Sequence, residues 1–212
     1  MEAVWAYARK ADTWQASGCL GVGRTQVGLA WSGEELLVLG GMVFDPRSDH
    51  LFDYPTEVLS WRRGAEHCAD TGLRLPRARR SFAGVSHGGS YYLVGGMETD
   101  GAPVDGGDVL DLESRTWSEI PAPSATRHSA HLLPLHGRLL LVGGRAYDEQ
   151  EYEWDSARSI EAYDPQAGAW TTVVEDVGFD ADDAHAFVVG DRLLILRLAD
   201  RAAHLTYVSV PR

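Results

Sequence analysis

Cysteine is scarce: Cys19 and Cys68 are the two in 212 residues. That is too few for a disulfide framework, and no Cys-x-x-Cys pair is present to bind zinc or carry out thiol exchange. Lysine is scarcer, with Lys10 alone beside eighteen arginines. Cationic charge is outweighed, for a formal net charge of −12. This balance argues against a nucleic-acid backbone or an anionic membrane as partner. No apolar run approaches the ~20 residues of a membrane-spanning helix. The start, Met1-Glu2-Ala3-Val4-Trp5, has neither the basic residues nor the apolar core of a secretory leader. A reducing, cytoplasmic setting is therefore expected. Arginine suits bidentate contacts to carboxylate or phosphate, but codon usage is the simpler source of the skew.

What the chain does have is a repeat. Apolar residues make up 44% of the sequence, enough for one domain with a core of useful size. Three short apolar runs each end in a glycine pair: Glu35 to Gly41, Tyr91 to Gly96 and Arg138 to Gly144. The pairs begin at 40, 95 and 143. A second mark recurs with them, two residues seven places apart. It is read at Tyr7 and Trp14, Trp61 and Cys68, Leu110 and Trp117, and Tyr163 and Trp170. A period near fifty with paired glycines and a late tryptophan points to a propeller blade of four strands. In the third unit the strands are 131–135, 139–142, 159–163 and the segment carrying Trp170. Asp164-Pro165-Gln166-Ala167-Gly168 forms the last turn, where Pro sets φ and Gly accepts a left-handed angle.

The fourth unit is degenerate. His185–Val189 and Leu193–Leu196 match the first two strands, Arg197-Leu198 replaces the glycine pair, and Leu205–Val210 makes a third strand. No fourth follows, and the N-terminal segment can supply it, leaving few exposed edges. The expected architecture is all-β: a small propeller of four blades, 24–75, 76–122, 123–176 and 177–212 with 3–16, closed by the two chain ends sharing the last blade. Tyr7 and Tyr207 both fit the third-strand place, so five candidates compete for four positions. An extra outer strand, a shifted N-terminal segment, or closure between two chains would resolve this. A single-chain ring, and hence a monomer, is favoured over a homodimer.

These motifs resemble the kelch repeat. The resemblance is carried by Arg79-Arg80, Tyr91-Tyr92-Leu93-Val94-Gly95-Gly96 and Trp117, and by Arg127, His131, Gly143-Gly144, Tyr163-Asp164 and Trp170. Kelch propellers are usually larger than four blades. They include substrate adaptors, actin-associated proteins, galactose-oxidase-like enzymes, sialic-acid epimerases and plant specifier proteins, so the fold alone fixes no function. The resemblance implies that the entries to the first strands and the loops after the glycine pairs share one face, around a central channel.

On that face Arg24, Arg79 and Arg127, each sixteen places before its glycine pair, are expected at the inner rim with His128 and His131. They are read either as structural pairs to a neighbouring blade's carboxylate or carbonyl, or as contacts to a ligand carboxylate or acidic peptide. His131 and His185 hold equivalent places, filled by Gly28 and Ala83 in the first two units; a longer turn in unit two would shift this to Phe82 or Arg80. Two imidazoles with Asp182 and Asp183 nearby could bind Zn²⁺ or Fe²⁺, or form an acid–base pair. The plainer reading is that each bonds backbone or water. The Glu-xxx-Asp-xxx-His pattern associated with plant specifier proteins is missing, since Ser159 and Arg74 stand where His is needed. The residues specify no metal or cofactor.

The loops 42–55, 97–107 and 145–157 are long. The third mixes Tyr147, Tyr152 and Trp154 with five acidic residues, a composition suited to anchoring a partner. The first, with Phe44, His50, Leu51, Phe52 and Tyr54, is apolar enough to cap the channel or make a dimer contact. Gly84-Val85-Ser86-His87-Gly88 matches the hydrolase elbow, but a strand follows where a helix is needed, so it reads as a hairpin turn. Cys68, in a tryptophan place, reads as buried packing.

The favoured function is a binding module for a small polar molecule or peptide, using Arg24, Arg79, Arg127, His128, Tyr147, Tyr152 and Trp154. The alternative is an epimerase, lyase or cyclase using His131, His185, Asp183 and Arg127 at the channel mouth.

Overall fold

The computed structural model describes residues 3–19, 21, 23–47 and 51–211, and His50 lies outside them. Every regular element among them is a β-strand. The first hairpin is β1 (Ala3–Ala8) and β2 (Thr13–Cys19), which among the described residues pair only with each other. Next come β3 (Arg24–Thr25), β4 (Gly28–Ser32), β5 (Glu35–Leu39), β6 (Met42–Phe44), β7 (Phe52–Asp53), β8 (Glu57–Arg62) and β9 (Ala69–Arg74). The sheet β4-β5-β8-β9 is the first blade, and β3-β6-β7 forms a small sheet at its mouth. The second blade is β10 (Ala83–His87), β11 (Ser90–Val94), β12 (Gly107–Asp111) and β13 (Trp117–Ile120).

In the third repeat, β14 (Arg127–His128), β15 (His131–Leu135), β16 (Arg138–Val142), β17 (Arg145–Asp148), β18 (Glu153–Ser156), β19 (Ile160–Asp164) and β20 (Ala169–Val174) divide the same way. The blade is β15-β16-β19-β20 and the mouth sheet is β14-β17-β18. The last sheet has three strands, β21 (His185–Val189), β22 (Arg192–Ala199) and β23 (Ala202–Val208).

Each blade begins as a hairpin with a two-residue turn. Gly88-Gly89 and His136-Gly137 both hold positive φ at the two central positions, the geometry that matches strand twist. The Gly-x-Ser-x-Gly stretch is thus strand β10 and its turn. The register puts Gly28, Ala83, His131 and His185 at the same first position of their inner strands, so unit two does not slip.

The core lies between blades. Ala30, Leu37 and Leu39 of the first pack with Tyr91, Leu93 and Leu110 of the second. Ala83 and Val94 meet Leu132, Leu139, Leu141 and Tyr163. Leu135, Leu140 and Ile160 meet Ala186, Leu193 and Ile195. The glycine pairs stitch these layers. Gly41, Gly96 and Gly144 donate their N–H groups to the carbonyls of Arg79, Arg127 and Ala181, each in the following blade, at 3.0, 2.8 and 3.2 Å. A Cβ on Gly95 would collide with the Arg127 carbonyl, and its φ of 64° is left-handed. Glycine is needed here for both reasons.

The chain ends depart from expectation. Inner strands stand side by side in the order β4, β10, β15, β21, and no comparable apposition joins β21 to β4. β1 and β2 do not enter the sheet of β21–β23. They behave as the outer half of a further blade. Tyr7 stacks on Trp14 at 5.3 Å, as Tyr163 does on Trp170 at 5.2 Å, and the hairpin rests on the first blade, where Trp61 Nε1 donates to the Ser17 carbonyl at 3.1 Å. This resolves the surplus of third-strand candidates: Tyr7 and Tyr207 belong to different sheets. Cys68 is half-buried just before β9.

Candidate functional site

The arginines at the strand entries turn inward. Arg79 and Arg127 are 0% and 1% exposed, and Arg24 is buried as well. Arg127 donates to Glu161 at 2.8 Å, to the Ser159 carbonyl at 2.8 Å and to Ser159 Oγ at 2.7 Å. Arg79 pairs with Asp108 and reaches the Gly95 carbonyl at 3.3 Å. Arg24 reaches the Glu57 carbonyl at 2.9 Å and its carboxylate at 3.8 Å. Burial pushes the Arg79 guanidinium down to about 10, against the pull of Asp108. These side chains bind a blade's entry to its own third strand, not to a neighbouring blade as expected. The partners carry a signal missed in the sequence: Asp108 and Glu161 stand two places before the third-strand residues Leu110 and Tyr163. In the fourth unit Ala181 takes the arginine place and Leu205 the carboxylate place, so both partners are lost together.

The predicted histidine pair does come together. The His131 and His185 rings are 5.8 Å apart. His131 Nε2 donates to the Ala184 carbonyl at 3.0 Å, and burial holds this imidazole below its usual pKa, with His185 adding to the effect. Asp183 is exposed and enters no ion pair among the described residues, and Arg127 is committed to Glu161. No group of three His, Cys, Asp or Glu side chains suited to a metal occurs among the described residues. Of the predicted constellation, the structure shows the contact of the two imidazoles and the pairing of Arg127 with Glu161.

The third loop is an ordered hairpin. β17 pairs with β18 and, on its other side, with β14, so the aromatic loop is pinned to the strand entry beside it. Trp154 lies 5.0 Å from Tyr147 and meets the edge of His128 at 4.5 Å. Tyr152 stands at the tip, 78% exposed with a φ of 57°. The tip is shaped by Asp148, whose carboxylate accepts the Gln150 and Glu151 N–H groups at 2.8 and 3.2 Å. Three residues proposed from sequence, His128, Tyr147 and Trp154, thus form one side-chain cluster.

Two arginines not proposed as ligand contacts from the sequence stand beside it. Arg80 lies over the Tyr54 ring at 5.8 Å and donates to Gln26 at 3.3 Å; Arg145 donates to the Trp154 carbonyl at 2.6 Å. Neither is ion-paired among the described residues. Burial, then Arg145 and Arg80, lowers the His128 pKa. The signal was present: Arg80 follows the inward Arg79 directly, and successive residues of a strand point to opposite sides.

A model of the kelch motif matches residues 78–124. An F-box/kelch-repeat protein of Arabidopsis thaliana is 26% identical over 176 residues, 76% of this chain and 44% of that protein. Human kelch repeat and BTB domain-containing protein 13 is 35% identical over 96 residues, 44% of this chain and 20% of its own length. The chain thus spans less than half the length of these relatives. The solved structure of YjhT superposes with a TM-score of 0.72 at 15% identity, covering 86% of this chain and 62% of that one. With the repeated sheet, its glycine pairs, the motif match and these relatives in agreement, the chain carries a kelch motif, is similar to kelch-repeat proteins and is built as a β-propeller.

Proposed function

We propose that this propeller is a protein-binding module whose partner sits on the mouth face, with Tyr147, Tyr152 and Trp154 as anchors. The observation that carries the reading is the packing of Trp154 against both Tyr147 and His128 on a hairpin tied into a three-stranded sheet. Aromatic side chains held by rigid elements lose little entropy on contact and dominate interface energies. Arg80 and Arg145 beside them, in no ion pair among the described residues, suit a peptide that presents a carboxylate. The kelch repeats in the adaptor-type names of the relatives agree with a binding role.

The test is affinity capture with the folded chain, comparing wild type with Tyr152→Ala and with residues 147–155 replaced by a Gly/Ser linker. Partners identified by mass spectrometry with the wild type should be lost with both variants, while the β-sheet circular dichroism is kept. An unchanged set of captured proteins overturns the reading. The enzymatic alternative keeps one supporting observation, the adjacent His131 and His185 rings. Turnover of a candidate substrate that survives changing both His131 and His185 to Ala would exclude their role.

A further inference from the structure

Every junction between blades buries the same two faces. On an inner strand the odd positions turn toward the following blade and the even positions toward the preceding one. Ala30 accordingly lies in the layer with Tyr91, and Leu132 in the layer with Ala83. Each end of the row of blades leaves one such face open.

At the tail, Phe187 holds the third position of its inner strand and is 47% exposed, where its equivalent Ala30 is 2% exposed. The register extends this apolar face across the sheet: Phe187 opposes Leu194, Leu194 opposes Tyr207, and Leu196 opposes Leu205. Leu205 and Tyr207 are exposed at 63% and 60%. β23 is also an edge with no outer partner in its sheet.

At the head, Leu29 is 54% exposed where its equivalent Leu132 is 3% exposed, and Trp31 is exposed beside it. Tyr7 is exposed at 48% where Leu110 and Tyr163 are at 0% and 5%. Between the N-terminal hairpin and the first blade lies a recess of about 680 Å³, lined by Val4, Trp5, Trp14, Leu29, Leu36 and Val38. It is the place where the inner strands of the hairpin's own blade would stand.

We infer that a second copy of this chain covers these faces head to tail, with Phe187, Leu205 and Tyr207 of one copy packed on Leu29, Trp31 and the recess of the other. The occupant follows from the repeat. Three junctions inside the chain already join a tail-type face to a head-type face through these same positions. A second copy always brings the matching face, in the matching chemistry. Contiguous apolar surface on this scale marks a protein contact. The contact is heterologous, so two copies close a ring if the rotation allows it and otherwise extend into a filament.

Light scattering with size exclusion, from micromolar to millimolar concentration, tests this. The 212-residue chain should run at twice its mass of 23.2 kDa or above. Phe187→Glu and Trp31→Glu change exposed positions and should each give monomers with unchanged circular dichroism. Mixing the two variants should restore a dimer, because one keeps an intact head and the other an intact tail. A monomeric wild type at every concentration overturns the inference. So does a Trp31→Glu variant that still dimerises alone, which would indicate tail-to-tail packing, or a mixture that stays monomeric. The outcome is independent of the proposed anchors Tyr147, Tyr152 and Trp154, which do not line the head recess.

Discussion

His131 shows what one side chain contributes when its neighbours are fixed. Burial, helped by the facing His185 imidazole, lowers its pKa below the usual 6.5, against the pull of its hydrogen bond to the Ala184 carbonyl. His128 is shifted the same way, by burial and by Arg145 and Arg80. A base with a depressed folded pKa takes up its proton first in the unfolded chain. The stability it supports is present above the unfolded value and is lost as pH falls through and below 6.5. The urea midpoint should therefore fall between neutrality and about pH 5, the window in which histidine titrates. Asp70, Asp111 and Asp176 have pKa values lowered below 3.8, so their acid arm lies further down. The His131→Gln variant should show a shallower decline. A midpoint in the wild type that is flat across this window would count against the described burial of both rings.

Among elements, the clearest contrast is between the entry strands of the first and third blades. Arg127 and Glu161 are both 1% exposed and 2.8 Å apart, whereas the Glu57 side chain facing Arg24 is 42% exposed at 3.8 Å. Removing one partner of a buried pair leaves the other charge without compensation and costs about 3–5 kcal/mol. Removing a partly exposed partner at that range costs roughly 0–1 kcal/mol. Glu161→Ala should thus lower the unfolding free energy from urea titration far more than Glu57→Ala; equal losses would contradict the pairing. The blades were readable in the sequence because glycine pairs and the seven-place aromatic spacing repeat. The direction of the arginines was not readable. Spacing placed Arg79 and Arg127 at the mouth but could not show that Asp108 and Glu161, on strands about thirty residues later, would draw them inward. The aromatic loop was legible by composition, and its hairpin was hidden because the acids of 148–155 show no alternating apolar pattern.

On the scale of the whole molecule, stability should be graded along the row of blades. A blade with neighbours on both sides buries two faces, and a terminal sheet buries one, as in other repeat architectures. Leu93, Leu139 and Leu141 are at most 1% exposed, whereas Trp14 and Leu198 are largely open. In the monomeric Phe187→Glu variant, amide exchange should be slowest in β11 and β16 and fastest in β1, β2 and β23. Uniform protection across all strands would show that the terminal sheets are covered in solution, as a dimer would cover them. Closure was misread from sequence for a related reason. Counting strands cannot tell whether two candidates for one place share a sheet, and here Tyr7 and Tyr207 do not. The link from Gly96 to the Arg127 carbonyl has a wider consequence. Each repeat carries a donor for the unit after it and an acceptor for the unit before it. A duplicated stretch of about fifty residues would arrive with both halves of its clasp, so a gene can lengthen or shorten such a wheel by whole spokes without redesigning the hub.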